Sequence, residues 1–123
     1  MPKVTLILYQ EKRRSPVWDW LQSLHKKIRE KAELRMERLA YLGHELRRPE
    51  ADYLRDGIYE LRWRHQFTHY RLLYFFHGRE IVVLTEGLTK QGEVPETSIE
   101  LAIIRKKRFE ENPQKHAFYG ELK

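Results

Sequence analysis

Ile58-Tyr59-Glu60-Leu61-Arg62-Trp63-Arg64, then Tyr70-Arg71-Leu72-Leu73-Tyr74-Phe75-Phe76, then Ile81-Val82-Val83-Leu84-Thr85 are the three runs on which the fold turns. The first alternates apolar and polar residues, which is the period of a half-buried strand. Tyr59, Leu61 and Trp63 then point to the core, while Glu60, Arg62 and Arg64 share the opposite face. Asp56-Gly57 marks a turn before it and His77-Gly78-Arg79 a turn after the second run. The three runs read as an antiparallel meander. Its middle strand, residues 72–76, is apolar at every position and reads as buried on both faces.

Upstream, residues 4–9 form a short β-branched run that reads as a first strand, ended by Lys12-Arg13-Arg14-Ser15-Pro16. Ser15 can cap a helix opened by Pro16, whose missing N–H costs nothing in the first turn. Val17, Trp20, Leu21 and Leu24 recur at helical spacing, and so do Ile28, Ala32, Met36, Leu39 and Leu42. His25-Lys26-Lys27 reads as the joint of a helical hairpin, and Gly43 as the end of its second helix. Arg47-Arg48-Pro49 reads as an extended connection into the meander. Downstream, residues 87–92 form a loop, Pro95 opens a last helix carrying Ile99, Ala102 and Ile103, and Asn112-Pro113 stops it. The expected order is βααβββα, an α+β domain with its helices on one face of an antiparallel sheet. One domain over residues 1–123 is expected, with 114–123 a flexible tail.

The chain has 123 residues, 41% of them hydrophobic, which is enough for a core and argues against general disorder. It has no cysteine, so disulfides, thiolate nucleophiles and cysteine-based zinc sites are excluded together. No apolar run approaches the roughly 18 residues of a membrane span. The N-terminal residues lack a signal-peptide cleavage pattern, and a cytoplasmic location is expected. The 24 Lys+Arg against 18 Asp+Glu leave a net charge of +6, which favours acidic partners, nucleic acid foremost.

Antiparallel pairing brings Arg62 and Arg64 close to Arg71, with Lys90 in the loop after the last meander strand. Arginine forks match phosphate oxygens, and a concave basic face can hold an RNA backbone and stabilise a pentacoordinate phosphorane. The alternative is a solvated sheet face, its arginines paired with Glu60 and Glu86. His65 and His69 flank the expected hairpin turn and can act as acid or base near neutral pH. His77 sits in the next turn. No His/Asp/Glu set has metal-ligand spacing, so neither a metal nor another cofactor is expected. Arg105-Lys106-Lys107-Arg108 runs right round a helix, with Arg105 a candidate RNA contact. Trp18 and Trp20 read as helix-packing residues.

The segment Leu54-Arg55-Asp56-Gly57-Ile58-Tyr59-Glu60-Leu61-Arg62, with Tyr70-Arg71-Leu72-Leu73-Tyr74-Phe75, Gly87-Leu88-Thr89-Lys90 and Pro95-Glu96-Thr97-Ser98-Ile99-Glu100-Leu101-Ala102, resembles the RelE/ParE toxin superfamily, in particular its HigB-like, phage-derived branch. The resemblance implies a RelE-like fold and the toxin of a type II toxin–antitoxin pair. It also implies an endoribonuclease that cuts mRNA on the ribosome by metal-free attack of the 2′-hydroxyl on the adjacent phosphate. By position it assigns transition-state charge to Arg71, phosphate binding to Arg62 and either role to Lys90, with Arg64 a weaker member. Gln91 stands where the family carries a second basic residue, and Thr97 lies near the place of the RelE-type tyrosine. The general base is left open among His65, His69 and Tyr119. The implied partners are mRNA, the ribosome and a HigA-like helix-turn-helix antitoxin, with oligomers formed only through the antitoxin. Two other functions compete: a ParE-like inhibitor of DNA gyrase, and a degenerate toxin kept for binding.

Overall fold

The computed structural model describes residues 3–89 and 92–118. The elements in chain order are β1 (Thr5–Tyr9), α1 (Pro16–Ser23), α2 (Lys26–Leu42), a 3-10 turn (Gly43–Glu45), β2 (Ala51–Arg55), β3 (Ile58–His65), β4 (Thr68–His77), β5 (Ile81–Thr89), α3 (Glu96–Glu111), α4 (Pro113–His116) and β6 (Ala117–Phe118).

Local chemistry sets the boundaries. The Ser15 hydroxyl accepts the Trp18 N–H at 3.1 Å, and Pro16 takes the first helical position. The α2 helix starts at Lys26, inside the expected joint, because the His25 ring nitrogen accepts the Lys27 N–H at 3.4 Å and so serves as its cap. It ends where Gly43 takes φ 56°, and a Cβ there would meet Val4 Cγ1 at 3.1 Å. Asp56 and Gly57 have φ 51° and 82°, the two positive values that a type I′ hairpin turn needs.

The strand order is β2-β3-β4-β5-β1-β6. Three features depart from the expected βααβββα. First, β2 is an additional strand on the edge of β3; its residues Asp52-Tyr53-Leu54-Arg55 are too short and too charged to stand out as a strand. Second, β1 runs parallel to β5, so the sheet is only mostly antiparallel. The long crossover through α1 and α2 makes parallel pairing possible. Third, the start of the expected tail is structured: α4 and β6 return antiparallel to β1, pairing Phe118 with Leu8. Arg47-Arg48-Pro49 belongs to a turn, closed by the Glu50 N–H on the Arg47 carbonyl at 3.1 Å.

The helices also cover both faces, not one. Val17, Leu21, Ala32 and Leu39 of α1 and α2 pack with Leu61, Leu72, Tyr74, Val82 and Leu84. On the other face Ile99, Ala102 and Phe109 of α3 pack with Ile58, Leu73, Phe75 and Val83. The residues of β4 alternate between these two cores, so its centre is buried from both sides as the sequence implies.

A bulge in β5 decides what faces the α3 side. Leu73 pairs with Glu86 but Tyr74 pairs with Leu84, so Thr85 is the extra residue. The extra residue flips the alternation beyond it. Glu86 turns onto the face of Glu60, Arg62 and Arg71, and Gly87 turns beneath Trp20.

Candidate functional site

The α3 face of the sheet carries two cross-strand rows, Glu60–Leu73–Glu86 and Arg62–Arg71–Leu88. The Arg62 N–H points away from β4, to the Glu50 carbonyl at 2.8 Å. Arg62 and Arg71 therefore form a non-hydrogen-bonded pair, whose Cα atoms lie about 4.5 Å apart with side chains close. Two guanidinium groups so placed repel unless an anion sits between or beside them.

Glu60 is the anion the fold supplies. It is 6% exposed and lies beside Arg71, with Nε to Oε1 at 3.2 Å. The contact is an ion pair without hydrogen-bond alignment: Glu60 Oε1 and Arg71 Nη1 are both buried with no hydrogen-bond partner. Burial pushes the Glu60 carboxyl above its ordinary range, against the pull of Arg71 and Arg62. Arg62 donates through Nε to the Pro49 carbonyl at 3.3 Å.

A cleft of about 350 Å³ opens over this group, lined among others by Arg55, Glu60, Arg62, Arg71, Val94 and Ile99. Its rim is not the uniformly basic face read from the sequence, since Asp52, Glu93 and Glu96 line it as well. Asp52 is held by Arg48 at 2.8 Å, and Glu96 by Arg55 at 2.8 Å. Arg71 is therefore the cation in the cleft whose hydrogen-bonding capacity is conspicuously unmet. Glu60 is the residue that sequence reasoning placed only as a solvated partner. The available signal was its position directly beside the Arg62–Arg71 row, on a face that α3 then covers.

The remaining expected residues divide by place. Arg64 and His69 pair across β3 and β4 in the next outward row of the same face. His65 alternates onto the opposite face, where its Nδ1 is buried without a hydrogen-bond partner. His77 packs edge-on against Phe109 at 5.1 Å. Arg105 belongs to a separate cluster: it donates to the Thr85 carbonyl at 2.9 Å and lies 5.6 Å from the Tyr9 ring centre. Trp18 packs on Phe118 and Trp20 on Trp63 and Tyr70, as helix-packing residues should. Lys90, Gln91 and Tyr119 lie outside the described residues. Among the described residues no three His, Asp or Glu side chains gather as a metal site, and no helix is long and apolar enough to cross a membrane.

Glu86 is a second, half-buried acid on this face. Its Oε1 has no hydrogen-bond partner, and burial raises its pKa more than Arg105 and the Ser98 hydrogen bond lower it. A carboxyl raised in the folded state stabilises in full below its unfolded pKa and loses that contribution as pH rises through the folded value. Glu86→Gln should therefore raise the melting temperature by a few degrees at neutral pH, with the gain vanishing in acid. Thermal melts of both proteins across pH measure this, and an equal gain at every pH would contradict it.

The family model described as "Phage derived protein Gp49-like (DUF891)" matches residues 19–107. Two curated proteins of Mycobacterium tuberculosis, from strains CDC 1551 / Oshkosh and ATCC 25618 / H37Rv, are each named "Probable endoribonuclease HigB1". Each is 41% identical to this chain over 54 residues, 44% of this chain and 43% of the relative. The match thus spans less than half the length of these relatives.

Proposed function

The chain belongs to the phage-derived Gp49-like family, the HigB-like branch of the RelE/ParE toxins, and on that premise we propose that it is the toxin of a toxin–antitoxin pair and cleaves mRNA on the ribosome. One observation carries the chemistry: a buried carboxylate in contact with a largely buried guanidinium, each with unmet hydrogen-bonding capacity, at the floor of an open cleft. Buried polar atoms are rarely left without partners, and a ligand that completes them accounts for the exception.

The reaction needs no metal. Glu60 takes the proton of the ribose 2′-hydroxyl, and the 2′-oxygen attacks the adjacent phosphorus. The bond from phosphorus to the 5′-oxygen breaks, leaving a 2′,3′-cyclic phosphate, and the 5′-oxygen takes a proton from solvent. Arg71 meets the charge that grows on the phosphorane oxygens, which is where a preorganised donor acts most strongly. Arg62 holds the phosphate in place, and Lys90, the residue that follows β5 in the sequence, is assigned a share of the same charge stabilisation. A base works best with its pKa near the operating pH, and burial moves Glu60 upward in that direction. The partner is a HigA-like helix-turn-helix antitoxin, and the toxin acts in the cytoplasm.

The pH profile of cleavage tests the base. Glu60 must be ionised, so activity rises with pH through its elevated pKa and the acid limb lies above the ordinary carboxylate range. Glu60→Gln should lose about 10²–10⁴-fold in rate and show no such limb. A Glu60→Gln enzyme with an unchanged acid limb would assign the base elsewhere. Gyrase inhibition would instead give DNA-damage signalling with intact mRNA, and a degenerate binder would give no growth phenotype.

A further inference from the structure

From the hairpin joining β3 and β4 we infer a second RNA subsite: Phe67 is a stacking platform for a base of the single strand, beyond the Arg64–His69 row that follows the Arg62–Arg71 pair. This rests on the RNA reading above and extends it from the scissile phosphate to its neighbour.

Three observations carry it. Phe67 occupies the tip of a two-residue turn, since His65 pairs with Thr68, and it is 89% exposed. An aromatic side chain at such a tip is unusual, because Gly, Asn and Asp dominate these turns. Gln66 beside it holds φ 57°, a left-handed value where glycine is favoured, so the turn keeps a strained residue in place.

The second observation is charge. Residues 61–72 contain Arg62, Arg64, His65, His69 and Arg71 and no acid. The cleft behind them is rimmed by Asp52, Glu93 and Glu96, so the attractive approach for a polyanion is along the hairpin. On the α3 face the Arg62–Arg71 row is followed by the Arg64–His69 row, then by the tip. Successive rows on one face are about 6.8 Å apart, a spacing that lets adjacent phosphates of an extended strand meet adjacent rows.

The third is rigidity. On the opposite face Trp63 stacks on Tyr70 at 5.9 Å and Trp20 closes on both. The hairpin stem is thus fixed before a ligand arrives, which holds the turn that carries Phe67 in one place. Bases stack on exposed aromatic rings with little sequence preference, beside arginines that track the backbone.

The test uses the full chain and short single strands of 2′-O-methyl RNA, which cannot be cleaved, with 2-aminopurine at each position in turn. At low salt the native chain should bind with quenching at one position. Phe67→Ala should weaken binding roughly 5- to 100-fold and abolish that quenching. Phe67→Trp should preserve both, and Phe67→Leu should behave like alanine. Arg64→Ala should lower the salt dependence of log K by about one unit of slope, while Phe67→Ala leaves it unchanged. Equal affinity of the native chain and Phe67→Ala would overturn the subsite. Absence of binding by the native chain would overturn it too, while the cleavage assay on Arg71→Ala judges the enzyme reading separately.

Discussion

On the proposed function, Arg71→Ala should lower RNA cleavage by about 10²–10³-fold and relieve growth arrest on expression. The reason is geometric. Arg71 is 12% exposed at the side chain, lies against the cleft, and has a buried Nη1 without an acceptor. A donor fixed before the reaction, in a site of low dielectric, gains most from charge that appears only in the transition state. Loss of the arginine should not unfold the protein. Glu60 already has a raised pKa, and without its partner it takes up a proton more readily still. Arg71→Lys should recover only part of the rate, since a point charge cannot reproduce the planar fork. Glu60→Ala is the poorer probe of the same pair. It leaves Arg62 and Arg71 side by side without their carboxylate, and breaking a buried pair in this way costs about 3–5 kcal/mol. Thermal melts of each variant, measured beside cleavage rates and growth, separate loss of chemistry from loss of fold. An Arg71→Ala protein that melts normally and still cleaves RNA at the native rate would remove Arg71 from the mechanism.

The second large effect is on stability and comes from a position with no charge at all. Gly87 turns beneath Trp20 because of the Thr85 bulge, and a Cβ built there falls inside the indole ring. The glycine is required for space, since its φ is not in the left-handed region. Trp20 cannot yield toward the sheet without disturbing its neighbours: it lies edge-on to Trp63 at 6.0 Å and tilted to Tyr70 at 6.4 Å. Gly87→Ala overpacks this aromatic cluster, at a cost of roughly 3 kcal/mol. That is a large part of the 5–15 kcal/mol available to a small domain, and amounts to a melting point about 10–15 °C lower. The damage should reach the site as well, because Glu86 precedes Gly87 and Leu88 pairs with Arg71. Adding Trp20→Leu makes room for the methyl group. The double variant should therefore melt above the value expected from the sum of the two single losses, and strict additivity would contradict the proposed clash.

The meander and the first and last helices were legible because each carries its own local signal. The alternation of residues 58–64, the apolar run 72–76, the Ser15-Pro16 cap and the Asp56-Gly57 turn each have one straightforward reading, and the structure agrees with all four. What escaped depends on relations between distant segments. No local pattern announces that β1 joins β5 in parallel, or that Phe118 returns to pair with Leu8. The second helical layer was missed for a related reason. Ile99, Ala102 and Phe109 mark a buried stripe, but only the completed sheet shows which face it covers. The same holds for the candidate site. Strand alternation put Arg62 and Arg64 on one face, and pairing brought Arg71 to them. Glu86 could not be assigned by alternation, because a single extra residue at Thr85 reverses its side. Glu60 looks like a surface acid until α3 closes over it. Burial then raises its pKa above the ordinary carboxylate range, which is the ground for proposing it as the base.

The measurement that bears most directly on the function is sequencing of RNA ends in cells expressing the native chain and, in parallel, Arg71→Ala. The native chain should generate new 2′,3′-cyclic phosphate and 5′-hydroxyl ends inside translated messages, and these should be absent when translation is blocked and absent with Arg71→Ala. Growth arrest with intact messages would contradict RNA cleavage outright, and equal cleavage by the two proteins would contradict the Glu60–Arg71 site.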